Sequence, residues 1–282
     1  MMIKKSEQFV KWHCQVSWHP KINKMFLQTI VIIVALLIGR PSAYSQIPAL
    51  SVEYATNCNN DDTIQKEKIQ KSNVANILKE HLNQEFNLTH TIGLKFSCTE
   101  EEDYEGPYYD PESREVIIPY YFRTYVRRNF KKSGYEDDED ELDTVTDDVL
   151  LHTLYHEIGH ALIDALNLPI TGKEEDAVDE LSTLLLLEAY EDGDEVAISA
   201  GDFFDIEASQ LEDITKSELY GLHSLDEQRF FNIICLVYGE NPDGRTDLLE
   251  ELDISEARKE TCIYDFEKRS EAWSTLLKPY RK

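Results

Sequence analysis

The chain has 282 residues, with 55 acidic against 28 basic side chains and a formal net charge of −27. A surface this acidic makes nucleic acid and anionic membranes poor partners and reads as a solvated face that keeps a protein dispersed. Beyond its first segment, no stretch of the sequence is apolar enough to span a bilayer.

That first segment reads as an address. Residues 1–24 form a basic leader with Lys4, Lys5, Lys11, Lys21 and Lys24, and Phe26 to Gly39 is a nearly continuous apolar run. Ala43 and Ser45 then place small residues where a signal peptidase reads. The run of 14 residues is shorter than the roughly 20 an anchoring helix needs. The expectation is a signal peptide over residues 1–45, one domain over residues 46–282, and a secreted or periplasmic product with no membrane attachment after cleavage. Cleavage removes six basic residues and one acidic residue, leaving 22 against 54 and a formal charge of −32. Four cysteines remain, and an even number in an exported chain points to disulfides. Four cysteines allow three connectivities; local spacing favours Cys58–Cys98 and Cys235–Cys262.

Along the remaining chain, Ile64, Ile69, Val74, Ile77, Leu78, Leu82 and Phe86 recur near helical period, which predicts an amphipathic helix over residues 63–86. Ile92, Leu94 and Phe96 alternate with Gly93, Lys95 and Ser97, as in a half-buried strand. A second strand is expected over Glu115 to Phe122, after the turn-like stretch Asp110-Pro111-Glu112-Ser113. Residues 136–148 hold nine carboxylates in thirteen positions, without the ligand spacing or glycine of an EF-hand, and read as an acidic loop whose last members favour the next helix.

That helix is expected from about Thr146 to Asn167, with Leu151, Leu154, Ile158, Leu162 and Ala165 at helical spacing and Pro169 beyond its end. It contains HEIGH, residues 156–160, an instance of H-E-x-x-H. Four residues make just over one turn, so His156 and His160 project from one face about 6 Å apart and can grip one ion. Glu157 lies to the side, where its carboxylate can reach an activated water without filling a coordination place. Gly159 accepts a propensity cost of roughly 1 kcal/mol, which close approach of another backbone would explain. His152 stands on the same face but cannot share an ion with His160 across about 12 Å of helix.

A catalytic zinc needs a third protein ligand and an open position. The metzincin solution would put Gly at position 163 and His at position 166; Ile163 and Leu166 stand there instead. The gluzincin solution takes a Glu from a second helix, followed four residues later by an Asp that supports a histidine. Residues 172–190 read as that helix, and Glu175 with Asp179 supplies E-x-x-x-D. Glu174, Asp176 and Glu180 remain as other candidate ligands.

The blocks YYDPESREVII, HEIGHALIDALNLPITGKEEDAVDEL and HSLDEQRFFNIICLVYG, followed by Cys262, together resemble a family of secreted metallopeptidases grouped under a domain of unknown function. The likeness covers nearly all of the chain after residue 45. One departure is Pro119, where that family usually carries a cysteine in a C-Y-E run, so the resemblance leaves the partner of Cys98 open. It implies zinc chemistry on peptide or protein substrates and is silent on which ones.

The C-terminal third is expected to be helical, over Leu225 to Tyr238 and Ser255 to Leu277, separated by a turn at residues 239–244. His223, Asp226, Gln228 and Arg229 form a polar cluster at the first of these helices, readable as a packing network or as help for a developing oxyanion. Together these features predict an α+β, zincin-like metallopeptidase domain, mostly helical with a small N-terminal sheet. Zn2+ would be held by His156, His160 and Glu175, with Glu157 as general base. The competing expectation is a non-catalytic zinc-binding envelope protein on the same scaffold.

Overall fold

The computed structural model describes residues 48–99, 101–135, 138–211 and 213–282. The signal peptide expected over residues 1–45, its cleavage point at Gln46, and the opening Glu136-Asp137 of the acidic run lie outside the described residues.

Four strands make one sheet: β1 (Leu50–Tyr54), β2 (Ile92–Ser97), β3 (Tyr108–Asp110) and β4 (Glu115–Pro119), in the order β1-β2-β4-β3. β1, β2 and β4 run parallel, and β3 turns back antiparallel to form an edge. Parallel neighbours need a crossover. Helices α1 (Asn60–Ser72) and α2 (Val74–Glu85) supply it between β1 and β2. In β2 the alternation holds as expected, with Ile92, Leu94 and Phe96 buried. After the sheet come α3 (Tyr121–Lys132), α4 (Glu139–Leu166), α5 (Glu174–Ala189), α6 (Gly193–Ser209), α7 (Lys216–Tyr220), α8 (Asp226–Glu240), α9 (Thr246–Glu251) and α10 (Glu256–Leu277). The fold is α+β and mostly helical. No described helix is long and apolar enough to cross a membrane.

Three local expectations change. The helix expected over residues 63–86 is two helices, because Asn73 adopts a left-handed conformation (φ 66°) that ends one and begins the other. Ile64, counted in the apolar stripe, is exposed. The strand expected to reach Phe122 stops at Pro119, which offers no N–H to a ladder, and Tyr121 already begins α3.

The third change concerns the acidic run, which from Glu139 onward is helix and not loop. Asp138 caps it, its carboxylate accepting from the amides of Asp140 (2.9 Å) and Glu141 (3.1 Å). Two later carboxylates pair inward. Arg123 on α3 is 1% exposed and donates to Asp147 (2.8 Å), Asp143 (3.0 Å) and the Gln65 carbonyl oxygen (3.1 Å). A buried guanidinium keeps its charge only with such partners, so the acidity here is structural.

The main core lies between the sheet, α2, α4 and α5. A second cluster joins α6, α8, α9 and α10. Disulfides form at Cys58–Cys98 and Cys235–Cys262, with Cα atoms 5.3 and 5.0 Å apart. Pro119, where the resembling family carries a cysteine, lies beside this first bridge, since it pairs in register with Ser97. The second bridge staples α8 to α10, where a Cβ on Gly239 would lie 2.5 Å from the Cys262 carbonyl oxygen.

Asp148 is fully buried, and one oxygen accepts from Ser199 Oγ (2.8 Å) while Oδ1 has no partner. Burial pushes its pKa from 3.8 up to about 8. A carboxyl whose folded value lies above its unfolded one costs nothing below the unfolded pKa, and costs progressively more as pH rises toward the folded value. Asp148→Asn is therefore expected to gain stability relative to wild type between pH 4 and pH 8, with the gap flat above that range. Urea unfolding at a series of pH values measures it, and a gap independent of pH would show that folding leaves the Asp148 pKa unshifted.

Candidate metal centre

The site forms where α4 crosses α5. A Cβ on Gly159 would meet Val178 Cβ and Cγ1 at 3.0 Å, so glycine eases a tight approach of the two helices. His156 and His160 flank Gly159 on α4, and Glu175 and Asp179 flank Val178 on α5. Each helix thus turns an i, i+4 pair toward the other. One ligand atom from each of His156, His160 and Glu175 lies within 4.8 Å of the other two.

The outer nitrogen of each imidazole is held by a carboxylate. His156 Nδ1 lies 2.7 Å from Asp179 Oδ1, and His160 Nδ1 lies 2.8 Å from Glu174 Oε1. A carboxylate can only accept, so Nδ1 carries the hydrogen in both rings. In neutral imidazoles this turns two Nε2 lone pairs inward. They face Glu175 Oε2, at 3.2 Å from His156 and 3.3 Å from His160. That oxygen is buried and receives no aligned hydrogen bond. Such a trio calls for positive charge between its members, which protonation of the rings or a cation among them supplies. The residues present therefore fit a metal ion.

The electrostatics agree. Burial would lower His156, but the charge and hydrogen bond of Asp179, helped by Glu175, outweigh it and push its pKa up to about 9. His160 is also raised against burial, by Glu175 and Glu174. Burial would raise Glu175, yet the imidazoles of His156, His160 and His223 hold it well below the carboxylate range. Glu157, 6% exposed beside them, is raised mainly by burial.

Of the other candidate ligands, Glu174 serves as the partner of His160, and Glu180 accepts from Trp273 Nε1 (2.8 Å) and pairs with Arg269 (2.8 Å). Asp176 lines a separate cavity with Glu180. His152 faces away, its Nε2 3.0 Å from Ser182 Oγ. Within the polar cluster, Gln228 caps α8 by accepting from the Leu225 amide (3.2 Å). Arg229 reaches Asp179 through Nε (2.7 Å) and Nη2 (2.9 Å), with Asp226 3.6 Å away and its guanidinium 3.8 Å over the Phe204 ring. Burial would raise Asp179, but Arg229 and His156 hold it far below the usual range. His223 comes to 2.9 Å from Glu175 Oε2.

Sequence reasoning missed Tyr109 on β3, whose hydroxyl donates to Asp164 Oδ2 (2.8 Å) and ties the sheet edge to α4 one turn after His160. An i+4 acid after His160 was the available signal. A cleft of about 780 Å³ runs from Tyr108 and Tyr109 past His156, Glu157 and His160 to Leu222 and His223.

A family model described as "Putative metallopeptidase", DUF4344, matches residues 54–277. The chain belongs to this metallopeptidase family. Family membership implies a hydrolase that uses a metal ion and acts on peptide or protein substrates. No curated protein and no solved structure matches the chain.

Removing one partner of a buried, bidentate ion pair leaves an uncompensated charge, at about 3–5 kcal/mol. Arg229→Ala is expected to destabilise the protein by about that amount, and Arg229→Lys to recover only part of it, because an ammonium cannot fork onto Asp179. Equilibrium unfolding of both variants measures this, and a loss below about 1 kcal/mol for Arg229→Ala would show that Asp179 needs no counterion.

Proposed function

We propose that the chain is an exported zinc peptidase, a mature domain over residues 46–282 after a cleaved signal peptide over residues 1–45. It would hydrolyse peptide bonds with Glu157 as general base. The observation that carries this reading is the inward meeting of two imidazole Nε2 atoms with Glu175 Oε2, each imidazole held from behind by a carboxylate. Three protein ligands leave a coordination place open, as in catalytic and not structural zinc sites. Zinc, when bound, would polarise a scissile carbonyl and lower the pKa of a water toward about 7.

The chain's own residues supply the rest. Glu157 accepts a proton from the attacking water and returns it to the leaving amine. Burial shifts it toward the pKa range such a base needs. Asp179 and Glu174 fix the ring orientation of His156 and His160, and Arg229 keeps Asp179 ionised and in place. The antiparallel edge strand β3 borders the cleft, and its outer side offers backbone groups to which an extended peptide can pair. The two disulfides support an oxidising compartment outside the cytosol.

The test pairs zinc stoichiometry with cleavage of a diverse peptide library. Wild type is expected to bind one zinc and cleave. Glu157→Gln should keep the zinc and lose about 10²- to 10⁴-fold in rate. His156→Ala and Glu175→Ala should lose both metal and activity, whereas Glu180→Ala keeps both. Cleavage that persists unchanged in Glu157→Gln refutes the base assignment. Wild type that holds zinc and cleaves nothing would favour a non-catalytic zinc-binding envelope protein.

A further inference from the structure

Resting on the peptidase reading above, we propose that the cleft selects peptides that carry large apolar side chains together with basic ones, with Tyr108 and Leu222 as its apolar walls. Tyr108 is 49% exposed and Leu222 77% exposed, and both line the cleft. They come from different parts of the fold. Tyr108 stands on β3, where the neighbouring Tyr109 is tied to Asp164 of α4. Leu222 stands in the segment between α7 and α8, where the carbonyls of Gly221 (3.3 Å) and His223 (3.1 Å) accept from Lys173 Nζ, just before α5. Each wall is thus fastened to one of the two helices that carry the site.

The apolar surface is concentrated on one side of the cleft. Among the described residues nine large hydrophobic side chains are exposed, and five of them, Leu211, Ile214, Leu219, Tyr220 and Leu222, fall within residues 211–222. The other four, Tyr108 among them, stand singly in the sequence. Single exposed hydrophobics are ordinary, whereas a concentration of them marks a surface that another molecule covers. The molecule that enters this cleft is the peptide. An extended chain laid along the edge strand β3 sends alternate side chains to one face, and a large apolar one takes the surface of Tyr108 and Leu222 out of water.

Charge selects the rest of the peptide. The described residues that line the cleft include four carboxylates, Glu157, Asp164, Glu174 and Glu175, and one ammonium, Lys173. A divalent ion would offset Glu157 and Glu175. Asp164 gives one oxygen to Tyr109 and Glu174 gives one to His160, and the second oxygen of each has no partner among the described residues. Lys173 is already engaged on its two carbonyls. Around the cleft, residues 46–282 carry 54 acidic side chains against 22 basic ones, a field that draws in a basic peptide and turns away an acidic one. Salt separates the two effects, because it screens the field and leaves apolar contact in place.

Binding to the Glu157→Gln protein reads selectivity apart from catalysis. Four fluorescent peptides on one scaffold are compared by anisotropy, carrying Leu and Phe with Lys, Leu and Phe with Glu, Ser with Lys, or Ser with Glu. The first is expected to bind at least about tenfold more tightly than each of the others, the scale on which an apolar pocket discriminates. Adding Tyr108→Ser and Leu222→Ser should remove the apolar preference and leave the preference for Lys; both side chains are largely exposed, so the core survives their loss. Raising the ionic strength from about 0.01 M to about 0.15 M should weaken the Lys preference more than the apolar one. Equal affinities for the four peptides overturn the inference, and an apolar preference that survives both substitutions overturns the assignment to Tyr108 and Leu222. Failure of the peptidase reading looks different: the first peptide still binds most tightly, but wild type cleaves neither it nor any member of a diverse library.

Discussion

The tight contact of α4 with α5 at Gly159 against Val178 is the one on which the site depends. His156 and His160 stand on either side of that glycine, and Glu175 and Asp179 on either side of that valine. A side chain at position 159 would press on Val178, between the two pairs. The glycine costs its helix roughly 1 kcal/mol of propensity, small beside the burial of the surrounding apolar residues Tyr155, Ile158, Val178 and Leu181. Spacing of four residues on each helix then does the rest, since both pairs must face across the contact.

Support for this crossing comes from the far end of the chain. Arg229 belongs to α8, and α8 packs closely on α10, where Gly239 brings the backbones together and Cys235–Cys262 staples them. The position of Asp179, and through it the ring of His156, therefore depends on a helical cluster that contributes no atom to the inner site. Tyr109 does the same from the opposite side, fastening the sheet edge to Asp164. The inner atoms of the cluster are few, and the elements that aim them span the sheet, the central helices and the C-terminal helices.

Much of this was legible in the sequence where one signal dominated. The α+β class, the strand at Ile92–Ser97, the motif-bearing helix and both disulfide pairings follow from periodicity, spacing and cysteine count. Where two signals competed, periodicity misled. Asn73 breaks a regular apolar pattern because its backbone tolerates the left-handed region, and a pattern of side chains does not record that. The acidic run read as loop because carboxylates repel on an isolated helix; buried Arg123, which neutralises two of them, lies outside the run, so its effect appears only in three dimensions. At the site, E-x-x-x-D pointed to Glu175 with Asp179, and the fold brings both to the histidines. The link from Glu174 to His160 and that from Arg229 to Asp179 were not readable, because neither partner stands at a spacing that its own helix dictates.

The charge balance of the inner site explains why it should be tied to metal uptake. Four carboxylates crowd the crossing: Glu157, Glu174, Glu175 and Asp179. Arg229 balances Asp179. Glu157 and Glu175 have no guanidinium or ammonium against them among the described residues, only imidazoles. Asp179 raises His156 and Glu175 with Glu174 raises His160 against the effect of burial, so the cluster favours positive charge. A divalent ion would supply such charge with the rings neutral, so its binding would depend on pH. Folding of the crossing and binding of the ion then draw on one pool of charge. That accounts for the four carboxylates gathered around two histidines at the crossing.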